Sequence, residues 1–314
     1  MHLNTFAPSA DPFDMTETEE FRSLLESATD LGVSHDVNVR YRSHNIVLRH
    51  RRFHYLEWGE PGAPPIVLLH GGHQSAHSWD LVSLHLADRF HIFALDQRGH
   101  GDTEWARDGD YSPEAMAEDA LAFIEALGIG RPIIAGHSMG GMVTMTLLKL
   151  RPDVPRAAVL VDVGPEVSSE GANVIRAFIK SAAEFDDLDE FVARVQAYDP
   201  FRSRTHIERT VRYNMLRRSD GKYISKCDHF LGDRRRAGPD ATRAVTLEDA
   251  SQFPCPVLLV RGAQSNILAP DAAVRLADAI PQATLVTVPD CGHNVHSQNT
   301  PGFLEAVGPF LTKV

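Results

Sequence analysis

Six short apolar runs without a regular polar face, at residues 66–69, 90–95, 133–135, 157–161, 257–260 and 284–288, restrict the fold of this chain more than any other feature. A strand with one face in water alternates polar and apolar residues. These runs do not, so they read as strands covered on both sides of a parallel sheet. Helical patterns separate several of them. The clearest spans 113–127, where Met116, Ala120, Phe123, Ile124 and Leu127 recur at helical spacing, Ser112 and Pro113 open the helix, and Gly128 closes it. Strand and helix alternate, which predicts an α/β chain with a doubly wound, mostly parallel sheet.

The flanking segments follow other patterns. Residues 1–40 read as a polar N-terminal extension with one short helix from about Glu17 to Ser27, carrying Phe21, Leu24 and Leu25. Residues 45–58 are β-prone and read as a hairpin, closed by Gly59-Glu60-Pro61-Gly62. Between about Gly164 and Ala250 the alternation lapses into a charged, mostly helical stretch in which Ile207, Val211 and Met215 fall on one helix face. The expected division is a core of residues 41–164 and 250–314 with a helical cap inserted over 165–249. Such an insert would lie over the strand ends, where sites form in these sheets.

Composition narrows the partners. With 314 residues and 43% hydrophobic side chains the chain can bury a sizeable core. Its three cysteines, Cys227, Cys255 and Cys291, form neither a disulfide framework nor a C-x-x-C metal motif, which fits a reducing cytoplasm. The acidic N-terminus has no secretory pattern, and no apolar run is long enough to span a membrane. A net charge of -11 disfavours nucleic acid and anionic membrane. A small-molecule substrate is the expected partner, and a homodimer is compatible with the chain.

The chemistry centres on Gly136-His137-Ser138-Met139-Gly140, a G-x-S-x-G pentamer. Its residue types are common, so the match alone is weak. Its context is specific: it follows the apolar run Ile133-Ile134-Ala135 and precedes the helical Met142-Val143-Thr144-Met145, giving strand, sharp turn and helix. Such a turn strains the serine backbone and requires glycines where neighbouring backbones approach. Ser138 would then stand above the sheet at a helix N-terminus, which favours developing negative charge.

With His70-Gly71-Gly72 after one strand, Asp96-Gln97-Arg98-Gly99-His100-Gly101 after the next, and Gly292-His293 near the C-terminus, the chain resembles the α/β hydrolases with a helical cap over residues 45–314. The resemblance implies that Ser138 is a nucleophile and His293 its base. It implies that the backbone N–H groups of Gly72 and Met139 bind the oxyanion, and that the segment from Asp96 to Gly101 positions rather than reacts. His296 is the nearest rival to His293. His70, His73 and His77 have a spacing that could suggest a metal, but they sit on a glycine turn with no completing carboxylate or thiolate, so neither metal nor cofactor is expected.

The acid departs from the family's commonest pattern. Relatives usually carry it in the turn after the strand preceding the histidine strand. Here that turn is Gly262-Ala263-Gln264-Ser265-Asn266-Ile267-Leu268, which lacks an acid and has Asn266 in the usual slot. Other families of the fold place the acid one strand beyond the nucleophile, where this chain has Asp162. Asp162 is therefore assigned as the third member.

Serine excludes the aspartate-nucleophile branches of the fold. An ester or lactone hydrolase working through an acyl-enzyme is expected, with an amide or carbon–carbon hydrolase acting on a carboxylate-bearing acid as the alternative and a non-catalytic binding protein as a third reading. Residues 201–236 hold eleven basic residues, Arg202, Arg204, Arg209, Arg212, Arg217, Arg218, Lys222, Lys226, Arg234, Arg235 and Arg236, against four acids. They make either a solvated basic face or a clamp for a substrate carboxylate.

Overall fold

The computed structural model describes residues 13–16, 18–181, 184–229 and 245–314. The first half runs β1 (Phe13–Asp14), α1 (Glu19–Leu31), β2 (Tyr41–Leu48), β3 (Arg51–Trp58), β4 (Pro65–Leu69), α2 (Asp80–Leu86), β5 (His91–Leu95), α3 (Pro113–Ala126), β6 (Ile133–His137), α4 (Met139–Leu150) and β7 (Ala157–Val161). Then come α5 (Ser169–Ser181), β8 (Glu184–Phe185), α6 (Leu188–Tyr198), α7 (Arg204–Asn214), β9 (Met215–Arg217), β10 (Tyr223–Ser225) and α8 (Leu247–Ala250). The chain closes with β11 (Val257–Gly262), α9 (Pro270–Ala279), β12 (Ala283–Val288), α10 (Val295–Gln298) and α11 (Thr300–Leu311).

Among the described residues one sheet has nine strands in the order β1-β2-β3-β5-β4-β6-β7-β11-β12. All pairings from β5 to β12 are parallel, and β1, β2 and β3 add an antiparallel edge. All six apolar runs lie in the parallel part. For the five inner runs the lack of a polar face has the expected cause, whereas 284–288 lies in the edge strand β12, where Thr284 and Thr287 are exposed and only Val288 is buried. Ile66 and Leu68 of β4 pack with Trp79, Leu84 and Phe303 on one side, while Val67 and Leu69 pack with Phe123 and Leu147 on the other. The β2–β3 hairpin turns through Arg49 and His50, both at positive φ, without the glycine or asparagine that usually marks a two-residue turn.

The N-terminal helix is capped by Thr18, whose hydroxyl accepts from the Phe21 N–H. Phe21, Leu24 and Ala28 join the cluster of Tyr41 and Trp58, so this helix packs on the sheet rather than trailing from it. Between β7 and β11 lie α5 to α8 and a small antiparallel sheet in the order β8-β10-β9, built around Phe185, Val192, Val195, Ile207, Val211 and Met215. Strands of two or three residues leave no periodic signal, which is why this stretch reads as mostly helical. Met215 shares the cluster with Ile207 and Val211 but begins β9, one residue beyond the end of α7. Arg234, Arg235 and Arg236 fall outside the described residues. No helix is long and apolar enough to cross a membrane among the described residues.

Candidate active site

Strands β6 and β7 pair in parallel register, His137 opposite Val161. The ladder continues one residue past each. Ser138 N–H donates to the Val161 carbonyl at 3.1 Å, and Asp162 N–H donates to the Val260 carbonyl at 2.8 Å. There both chains turn sharply, with Ser138 at φ 51° and ψ -113° and Asp162 at φ 51°. Such values are costly for residues with a Cβ, and the paired strands behind them hold them in place. Close packing explains the glycines. A Cβ on Gly140 would lie 2.3 Å from the Leu69 carbonyl oxygen, and one on Gly136 would lie 2.2 Å from the Gly140 oxygen.

His293 arrives from the loop after β12, which must pass over the end of β11 to reach Asp162. It crosses directly above Gly262, where an added Cβ would stand 1.9 Å from the Gly292 oxygen. The imidazole Nδ1 is 2.8 Å from Asp162 Oδ2, and Nε2 is 2.9 Å from Ser138 Oγ. A carboxylate only accepts, so Nδ1 carries the hydrogen and the Nε2 lone pair faces the serine hydroxyl. Ser138, His293 and Asp162 are thus brought together in one hydrogen-bonded line. Asp162 is fully buried and also receives the Gly262 N–H on Oδ1 at 3.1 Å.

The turn after β11 contributes differently from what its position suggests. Asn266 is exposed, and Asp162 already occupies the imidazole Nδ1. Its neighbour Ser265 donates its hydroxyl to Asp162 Oδ2, and Ser265 Oγ itself accepts the N–H groups of Ile267 and Leu268. The turn therefore braces an acid carried by the adjacent strand. A serine in a turn gives no sequence signal for that task.

Gly72 and Met139 line the same cavity as Ser138, and neither backbone N–H has an acceptor among the described residues. Met139 opens α4, whose first N–H groups have no intrahelical partner. Gln74 fixes the turn that carries Gly72. Its side-chain oxygen accepts the Gly71 N–H at 3.0 Å, and its amide nitrogen donates to Asn294 Oδ1 at 3.0 Å. His137 Nε2 donates to the His293 carbonyl at 3.0 Å, and burial holds its pKa far below the ordinary histidine range. The Gly71-Gly72 turn, the elbow and the histidine loop are cross-linked by Gln74, His137 and Asn294, of which only His137 falls inside a motif, at a position the motif leaves open. On the far side, Asp96 accepts the Ala76 N–H, and Gln97 bonds both the ring and the carbonyl of His70. The Asp96 segment thereby holds the His70 turn in place.

The remaining histidines have separate surroundings. His70 donates from Nδ1 to the Gly71 carbonyl and accepts the Gln97 N–H on Nε2. His77 contacts Asp80 and Tyr41 and stacks on Tyr213. His73 lines the cavity, where burial lowers its pKa to about 4. His296 stacks on Trp79 away from the serine, with its pKa pushed down to about 3 by burial and by Arg202. Among the described residues His54, Asp96 and Asp102 have metal-ligand spacing, but Ser43, the Ala76 N–H and Lys226 already engage them.

The cavity over Ser138 measures ≈ 210 Å³. Ile175, Phe178, Phe191 and Val195 line it from α5 and α6, and Thr210, Val211 and Asn214 line it from α7. Arg202, just before α7, completes that side. The basic excess of this segment is largely matched by acids beyond it. Arg209 pairs with Asp80, Arg204 with Asp189, Arg218 and Lys222 with Glu184, and Lys226 with Asp102.

A family model of the alpha/beta hydrolase fold matches residues 64–300. An esterase of Mycobacterium tuberculosis is 28% identical over 302 residues, covering 94% of this chain and 96% of its own length. A 2-(acetamidomethylene)succinate hydrolase of Mesorhizobium japonicum is 25% identical over 291 residues, covering 91% of this chain and 99% of its own. The crystal structure of an alpha/beta hydrolase from Novosphingobium aromaticivorans superposes with a TM-score of 0.76 at 28% identity, over 87% of this chain and 99% of that one. A match across most of the chain, on a sheet that carries serine, histidine and aspartate at its strand ends, means that the chain belongs to the alpha/beta hydrolase fold family and is a hydrolase.

Proposed function

We propose that this hydrolase cleaves a carboxylic ester or lactone of a small to medium organic molecule through an acyl-enzyme. The line Asp162–His293–Ser138, opening beside the two unengaged N–H groups of Gly72 and Met139, carries the reading. Ser138 Oγ attacks the carbonyl carbon while His293 Nε2 takes its proton. Asp162 keeps the ring in that tautomer and stabilises the imidazolium, and the two N–H groups receive the oxyanion. Collapse expels the leaving group, which His293 protonates, and water then releases the acid from Ser138 by the same steps.

The esterase relative supports the choice of bond. Residues 165–249 serve in this reading as a cap, since described side chains among them, such as Ile175, Phe191 and Val211, line the cavity over Ser138. Three free, buried cysteines suit the reducing cytoplasm proposed for the chain. A second reading, hydrolysis of an amide or carbon–carbon bond in a carboxylate-bearing acid, draws on Arg202 in the cavity and on the succinate-derived name of the Mesorhizobium relative. A purely binding role fits poorly with an intact hydrogen-bonded serine and histidine.

Turnover of p-nitrophenyl butanoate tests the proposal. Wild type should hydrolyse it, and Ser138→Ala should lose at least about a thousandfold in kcat. A wild type that turns over neither this ester nor a lactone overturns the reading.

A further inference from the structure

Arg202 is the only lysine or arginine among the described residues lining the cavity above Ser138. Its side chain is 13% exposed. Nε donates to the buried Asp199 at 2.8 Å and Nη1 donates to Thr210 Oγ1 at 3.3 Å. A guanidinium has five N–H donors, so the Nη2 edge has no acceptor among the described residues.

The guanidinium is also fixed relative to the reacting centre. Asp199 Oδ1 accepts the Gln298 amide at 2.9 Å, and Gln298 Oε1 accepts the Gly292 N–H at 2.7 Å, one residue before His293. Ser78 and Asn214, which line the same cavity, each have a buried side-chain oxygen without a partner among the described residues. An amide can turn to offer its NH₂ instead, and a hydroxyl can donate. These polar groups come from the helix α7 side and the turn before α2, whereas α5 and α6 supply apolar walls from Ile175, Phe178 and Phe191. Buried polar groups left unpaired cost stability unless a ligand satisfies them.

We infer that Arg202, with Ser78 and Asn214, receives a carboxylate on the non-reacting part of the substrate, so that this hydrolase selects small esters or amides bearing a second, free acid group. The inference rests on Ser138 as nucleophile and names the substrate class of that site. A neutral substrate leaves the guanidinium edge facing an apolar group. A carboxylate meets it with charge-assisted hydrogen bonds in a desolvated pocket, which corresponds to a preference of about tenfold to a hundredfold.

Matched substrates test the idea: mono-p-nitrophenyl glutarate, with a free terminal carboxylate, against p-nitrophenyl pentanoate. Wild type should favour the glutarate by at least about tenfold in kcat/KM, through KM. Arg202→Met should abolish the preference and Arg202→Lys should keep part of it. Because the ratio is taken within each variant, a loss of folded enzyme scales both rates alike. Calorimetric titration of Ser138→Ala with monophenyl glutarate and with phenyl pentanoate asks the same question without turnover. Tighter binding of the anion, lost in Ser138→Ala/Arg202→Met, supports the carboxylate site even if the chemistry proposed above fails. Equal binding of both ligands, or a preference that survives Arg202→Met, overturns it while leaving the ester reading intact.

Discussion

Asp162 Oδ2 and His293 Nδ1, 131 positions apart in sequence, lie 2.8 Å apart at the ends of the sheet, and the exposed Asn266 takes no part in that contact. Asp162→Asn keeps the shape but presents an amide that can donate to Nδ1 and favour the wrong tautomer. It should lower kcat about 10⁴-fold, whereas Asn266→Ala should change it less than about threefold on the general rule for exposed substitutions. Steady-state rates on a p-nitrophenyl ester compare the two. A larger loss from Asn266→Ala would reverse the assignment.

Ser265 and Gln74 act at one remove from the reacting atoms, so their removal should damage rate more than affinity. Gln74→Leu frees the Gly71 N–H and cuts the tie to Asn294. It should lower kcat about tenfold to a hundredfold with little change in KM, because a misplaced oxyanion donor is felt in the transition state. Ser265→Ala removes a hydroxyl from Asp162 and should cost about tenfold in kcat, at about 1 kcal/mol of stability in urea unfolding. Unchanged kcat with a raised KM would place these residues in substrate binding instead.

The sheet was legible because strands buried on both faces have no polar positions to disguise them, as the split of Ile66 and Leu68 from Val67 and Leu69 shows. Ser138 was legible because its strain demands glycines two residues to either side. Asp162 was legible through its place one strand beyond the nucleophile together with an absence, the lack of an acid near Asn266. Ser265, Gln74 and His137 were not, because serine, glutamine and histidine in turns have many uses and their partners lie 63 to 220 positions away. The balance of the basic excess of residues 201–236 was hidden for a similar reason. Its counter-charges, such as Asp80, Asp102 and Asp189, lie outside the segment, and distance in sequence hid them.

Buried histidines should be the first groups to weaken the fold as the pH falls. His70, His100, His137, His206 and His296 all have lowered pKa values, with burial the largest cause and His296 down to about 3. Unfolding returns each to about 6.5, so below that pH the unfolded chain binds more protons than the folded one. Stability should therefore fall as pH drops from about 6.5, and these groups should add no slope above it. His296→Phe removes one such site while keeping a ring against Trp79. Between pH 7 and 5 its Tm should fall less steeply than that of wild type, by at most one proton, about 1.4 kcal/mol per pH unit. Parallel curves would show that His296 takes up no proton on unfolding.

Arg209 of α7 and Asp80 at the start of α2 form a buried pair at 2.8 Å that ties the wall of the cavity to the core. Arg209→Met leaves the Asp80 carboxylate buried with His77 as its remaining side-chain hydrogen-bond partner among the described residues, which should cost about 3–5 kcal/mol. Asp80 Oδ1 and Arg209 Nε have no partner among the described residues, so the pair is not fully satisfied. Replacing both sides should then be far milder than breaking it. Arg209→Met/Asp80→Asn should recover most of the loss in urea unfolding at neutral pH, because no charge remains buried. Since α7 also carries Thr210 and Asn214 into the cavity, Arg209→Met should raise KM for esters before it unfolds the protein. A single variant within about 1 kcal/mol of wild type would mean that water reaches Asp80 when its partner is gone, and that α7 is held by the apolar contacts of Ile207 and Val211 instead.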